Sequence, residues 1–206
     1  MEKIDFSKET YALFAQLVSE KLIKHTCQFF EKDANGNMKP YGSGVFALIY
    51  NTHFILTASH VAEGLSDEKD LFIQVNKDRY VKVLGEIKQT EIEKSNGVDI
   101  AYIKLQKELV EPLRTAYLFL TIGKFRRHNN LLDASNYCII GFPENNVKRE
   151  DGLLKTGAAA YFTQLTNDKP YGYYNFSKED CYILDIKGKG TSIYTGELSK
   201  VNTHFN

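Results

Sequence analysis

Between positions 54 and 61 the chain runs Phe54-Ile55-Leu56-Thr57-Ala58-Ser59-His60-Val61, an apolar strand that ends in Thr-Ala-Ser-His. The strand before it, Gly42-Ser43-Gly44-Val45-Phe46-Ala47-Leu48-Ile49-Tyr50, opens on two glycines and connects through a short polar turn at Asn51-Thr52-His53. Apolar runs of this length bounded by turn residues read as strands, and the two together read as an antiparallel hairpin. Downstream, Val98-Asp99-Ile100-Ala101-Tyr102-Ile103-Lys104-Leu105 follows a Ser95-Asn96-Gly97 turn and puts a carboxylate at the head of another apolar strand.

Composition narrows the classes. The 206 residues are 43% hydrophobic and 25% charged, which fits a soluble chain long enough to bury a full core. Lys plus Arg and Asp plus Glu both number 26, for a formal net charge of zero. Nucleic acid and anionic membrane surfaces call for surplus cations, so neither is expected as a partner. Aromatics are all Tyr and Phe, in keeping with a β-rich core. Cys27, Cys138 and Cys181 form no close pair, which argues for a reducing compartment and against a disulfide framework. The charged start Met1-Glu2-Lys3-Ile4-Asp5 has no apolar run behind it, so no signal peptide or membrane span is expected, and the location expected is cytoplasmic.

The pattern along the chain is one helix followed by many short strands. Ser7 can cap a helix whose apolar stripe is Tyr11, Phe14, Leu17, Val18 and Leu22. Leu22 to Phe30 reads as the first strand, closed by the Asn35-Gly36-Asn37 turn. Leu71 to Val75, the turn Asn76-Lys77-Asp78, Arg79 to Ile87, and Val98 to Leu105 complete a first half. Pro112 falls in a crossover to a second half with strands at Tyr137 to Pro143, Leu153 to Leu165 and Tyr182 to Ile186. Short strands at regular spacing predict an all-β protein, a barrel or sandwich.

The Thr57-Ala58-Ser59-His60 and Asp99-Ile100-Ala101 segments resemble those of the trypsin-like serine proteases, and Ile139-Ile140-Gly141-Phe142-Pro143 resembles a strand of that family's second barrel. The resemblance implies a two-barrel fold in a single peptidase domain over residues 1–206. Residues 1–24 would be the N-terminal helix and lead-in, 25–110 the first barrel and 111–206 an incomplete second barrel. It implies His60 as general base and Asp99 as the acid that orients it. His precedes Asp in the order the family uses, and the two stand 39 positions apart, against about 45 in the family template. His25, His53, His128 and His204 have no comparable context. Peptide or protein substrates are implied, with no cofactor.

The family's Gly-x-Ser-Gly nucleophile turn is absent from the sequence. Gly190-Thr191-Ser192 supplies Gly-x-Ser at about the template's distance from Asp99, but Ile193 replaces the small residue that should follow. Gly188-Lys189-Gly190-Thr191 reads there as a hairpin turn. Cys181 has no adjacent glycine, and Cys27 and Cys138 sit inside apolar strands as small core residues. The expectation is therefore that Thr195 to Asn206 approaches the nucleophile turn and that the serine lies beyond the chain. Closing strands missing from the second barrel would leave an open edge for self-association. No His-Glu-x-x-His, Cys-x-x-Cys or phosphate-loop pattern appears, and Lys124-Phe125-Arg126-Arg127-His128 reads as a solvated loop.

Overall fold

The computed structural model describes residues 13, 16–17, 20–66, 69–91, 98–125, 137–142, 147–150, 153–165, 184–185, 189–192 and 198–200. Within these the protein is all-β with few helical turns. Ser7, Tyr11, Phe14 and Val18 of the expected N-terminal helix lie outside the described residues, while 13, 16–17 and 20–23 are helical. The first strand does not begin at Leu22 as expected. His25 N–H and Thr26 Oγ1–H both donate to Leu22 O, at 2.9 and 3.0 Å, and these bonds finish a helical turn before β1 (Thr26–Lys32) starts.

β1 pairs antiparallel with β2 (Met38–Ile49) across the Asn35-Gly36-Asn37 turn, where Gly36 has φ +80° and the Asp33 carboxylate accepts the N–H groups of Asn35 and Asn37. β2 turns into β3 (Thr52–Thr57) through Tyr50 and Asn51, both at positive φ, so the turn sits earlier than the polar triplet suggested. The chain continues through β4 (Phe72–Asn76), β5 (Arg79–Lys82), β6 (Gly85–Gln89) and β7 (Ala101–Leu105). Their order in the sheet is β5-β4-β1-β2-β3-β7-β6, and β8 (Leu120–Thr121) adds in parallel to β2. The two ends of that order, β5 and β6, are separated in sequence by Val83 and Leu84 alone, so the sheet curls until its edges approach.

The expected single strand Arg79 to Ile87 is therefore two strands. Val83 is buried and its N–H bonds Leu71 O, while Leu84 O accepts from Gln106 N–H. Gly85 marks the corner, because a Cβ there would stand 2.3 Å from the Lys104 carbonyl oxygen. Inside the curl pack Phe29, Phe46, Ile55, Leu71, Ile73 and Ile103, all at most 1% exposed. A helix over Lys107–Arg114 closes one end with Leu109, Val110 and Leu113 buried; the crossover expected at Pro112 is this helix.

The second half contains β9 (Tyr137–Gly141), β10 (Val147–Glu150), β11 (Leu153–Thr156), β12 (Ala159–Leu165), β13 (Leu184–Asp185), β14 (Lys189–Ser192) and β15 (Leu198–Lys200). β10 and β11 form a hairpin, and the other five share an antiparallel sheet around β12. The expected strand Leu153 to Leu165 breaks at Gly157-Ala158, which sends β11 to β10 and β12 to β9. The halves touch where Phe142 N–H donates to Ser43 Oγ at 3.3 Å. Among the described residues no helix is long and apolar enough to cross a membrane.

Candidate functional site

His60 sits on a helix, Ser59–Ser66, that begins as β3 ends. The sequence pattern alone did not signal this helix. Two features of β2 seat it. A bulge on β2 sets Phe29 opposite Gly42 and Phe30 opposite Pro40, leaving Tyr41 as the extra residue. Tyr41 then lies against Gly64, where a Cβ would fall 2.3 Å from its hydroxyl oxygen. Next to it, Gly42 lies under Val61, whose methyl carbons would be 2.7 and 2.8 Å from any added Cβ. The glycine noted in the sequence is thus the floor of the histidine's helix. Ser59 is fully buried, and its hydroxyl donates to Thr90 O at 2.5 Å.

Asp99 stands two residues ahead of β7, the strand that pairs with β3 through Thr57↔Ala101. This pairing brings residues 39 positions apart into contact. The His60 ring Nδ1 lies 2.5 Å from Asp99 Oδ2, and the His60 backbone N–H donates to Asp99 Oδ1 at 3.0 Å. One carboxylate therefore fixes both the ring and the backbone of the same residue. Burial alone would raise the Asp99 pKa. The backbone N–H of His60, the His60 ring and the backbone N–H of Ser59 outweigh it and hold the carboxyl below its ordinary value. The His60 side chain is 62% exposed and that of Asp99 33%, so the pair faces solvent and Nε2 is the ring nitrogen left without a protein partner among the described residues.

The other sequence candidates fall elsewhere. Ser192 is not in a hairpin turn. Lys189–Ser192 is strand β14, paired with β15 on one side and, through Ser192↔Ala159, with β12 on the other. Cys181 and the stretch from 201 to 206 lie outside the described residues, as do Ser95-Asn96-Gly97 and His128. Cys27 is fully buried, and desolvation pushes its thiol far above the ordinary range; Cys138 is half-buried and pushed up to about 11. Neither is a thiolate near neutral pH. His25 Nδ1 lies 2.8 Å from Leu118 O, and His53 stacks edge-on against Phe119, so both are held in the scaffold.

No family model matches the sequence, and no curated protein matches it.

Two further polar residues are not among those the sequence singles out. Thr90 brackets Asp99 with hydrogen bonds, a role set by the β6–β7 register rather than by any local motif. Gln28 is 3% exposed, its Oε1 has no hydrogen-bond partner among the described residues, and it lines a cavity of about 250 Å3 with Glu31, Lys39, Tyr41 and Phe142. The signal for Gln28 was present, as a lone amide in the apolar run Cys27-Gln28-Phe29-Phe30. Among the described residues no three His, Cys, Asp or Glu side chains gather as a metal site would require.

Proposed function

We propose that the chain carries the base and orienting acid of a trypsin-like serine endopeptidase. The curled sheet would be the first barrel and β9 to β15 would belong to a second. The observation that carries this reading is the double engagement of Asp99, with one oxygen on the His60 ring and the other on the His60 backbone. A carboxylate so placed holds the proton on Nδ1 and leaves the Nε2 lone pair to accept one. In the reaction, Nε2 takes the proton of a hydroxyl nucleophile as its oxygen attacks the peptide carbonyl. The imidazolium, steadied by Asp99, then returns that proton to the leaving amine. Water hydrolyses the acyl intermediate by the same route. Among the described residues no hydroxyl or thiol bonds the His60 ring, and the reading draws its nucleophile from outside them.

The test is peptide cleavage by the protein expressed from its complete reading frame. Activity on a mixed peptide substrate that disappears in His60→Ala is the expected result. Absence of cleavage, with peptides still bound, favours a non-catalytic module on the same fold. One observation gives that second reading its basis: the Asp99 carboxylate also caps the helix start through the His60 N–H, a use that needs no chemistry.

A further inference from the structure

We propose that Thr90 is a positioning residue for the His60–Asp99 pair, an inference that rests on the peptidase reading and extends it. Asp99 lies on a short lead-in to β7 with its side chain partly in solvent, so something must hold residues 98–100 if the carboxylate is to keep two contacts at once. Thr90 is the first residue beyond β6 and supplies that hold from three atoms. Its hydroxyl donates to Val98 O at 2.5 Å and accepts from Ile100 N–H at 3.1 Å, so a single oxygen ties the backbone on both sides of Asp99. Its own N–H donates to Ile100 O at 2.9 Å, which continues the ladder one step past Gln89↔Ala101.

The third atom reaches the residue next to the histidine. Thr90 O accepts the hydroxyl proton of Ser59, the residue immediately before His60. Ser59 is wholly buried, and this bond gives its hydroxyl a partner there. Thr90 thus bonds the backbone that flanks the acid and the side chain that precedes the base. The separation of the two functional groups is set through one residue that touches neither of them. Threonine suits the task better than serine or valine. Its Oγ1 carries the donor and acceptor, and its branched Cβ restricts χ1 so that the hydroxyl is already aimed.

Thr90→Val keeps the shape and removes the hydroxyl, and Thr90→Ser keeps the hydroxyl and loosens the rotamer. Two readouts separate this proposal from the peptidase reading. The first is the NMR signal of the His60 Nδ1 proton, which reports the contact with Asp99 whether or not the protein cleaves anything. In Thr90→Val this signal is expected to broaden or shift toward that of a solvent-exposed imidazole, with the wild-type position retained in Thr90→Ser. The second is cleavage by the complete protein. There kcat is expected to fall about 100-fold in Thr90→Val with KM unchanged, the loss typical of slight misplacement, and to recover in Thr90→Ser. Ser59→Ala, which cuts only the Ser59–Thr90 link, gives a milder variant if Thr90→Val does not fold, and the same signal should broaden in it. An unaltered Nδ1 proton in a folded Thr90→Val, or in Ser59→Ala, overturns the positioning role. A protein that shows the expected NMR changes but no cleavage in any form retains the positioning role and loses the peptidase reading.

Discussion

Asp99→Asn separates the chemical role of the pair from its structural one. The wild-type carboxylate only accepts, taking the His60 backbone N–H on Oδ1 at 3.0 Å and the ring Nδ1–H on Oδ2 at 2.5 Å. Asparagine has one accepting oxygen and one donating amide. If the oxygen stays on the backbone N–H, the amide group points at Nδ1 and forces that nitrogen to accept. The ring proton then moves to Nε2, and the base can no longer take a proton there. Removing the carboxylate this way lowers kcat by about 10,000-fold in the serine-protease template, roughly 5 kcal/mol on the barrier. The stability cost is far smaller. Hydrogen bonds to charged groups contribute about 1.5–3 kcal/mol when shielded, and with a third of the Asp99 side chain in solvent about 1 kcal/mol is expected. The ring tautomer can be read directly from the nitrogen-15 shifts of His60. The expectation is an Nδ1–H ring in the wild type and an Nε2–H ring in Asp99→Asn, with a thermal transition only slightly lower. A variant that keeps its proton on Nδ1 would refute the assignment of Asp99 as the group that sets the tautomer.

Three further outcomes follow from the geometry. Gly42→Ala should destabilise by about 1–3 kcal/mol, because its Cβ would meet Val61 at 2.7 Å, and Val61→Ala in the same chain should recover much of the loss in thermal melts. Asp99 has a folded-state pKa below the ordinary 3.8, so its contribution to stability is full above about pH 4 and drains away as pH falls through the folded value. The stability gap between wild type and Asp99→Asn, measured by urea unfolding, should accordingly close as pH falls below about 4. Cys27 should resist iodoacetamide at pH 8 in the folded protein and react once unfolded, since burial keeps its thiol both protonated and out of reach; mass spectrometry of the peptide containing it decides the matter.

The His60–Asp99 pairing was legible in the sequence because each residue is carried by a short local pattern, an apolar strand running into Thr57-Ala58-Ser59-His60 and another led by Asp99. That the fold is all-β followed from strand spacing and turn residues. Boundaries were less visible wherever tertiary contacts set them. Nothing between Arg79 and Ile87 except Gly85 signals a corner, since Val83 and Leu84 are good strand residues, and the corner exists because Leu71 and Gln106 bond the backbone there. The helix at Lys107–Arg114 was hidden by Pro112, which normally disfavours a helix interior, and the burial of Leu109, Val110 and Leu113 overrides that preference. The Ser59–Ser66 helix was masked by the glycine at 64, which reads as a breaker and proves to be the seat for Tyr41. Thr90 could not be found from sequence at all, because its partners are set by the register of β6 against β7.

The peptidase account rests on a hydroxyl that the His60–Asp99 pair activates, and a fluorophosphonate probe, which reacts only with an activated serine, tests for it directly. Applied to the protein from its complete reading frame, the probe should label one serine, and labelling should vanish in His60→Ala and drop sharply in Asp99→Asn. The labelled peptide should not contain Ser192, which ends strand β14 and pairs with Ala159 of β12 rather than standing at a tight turn. A protein that stays unlabelled at saturating probe, or one labelled equally with and without His60, contradicts the account.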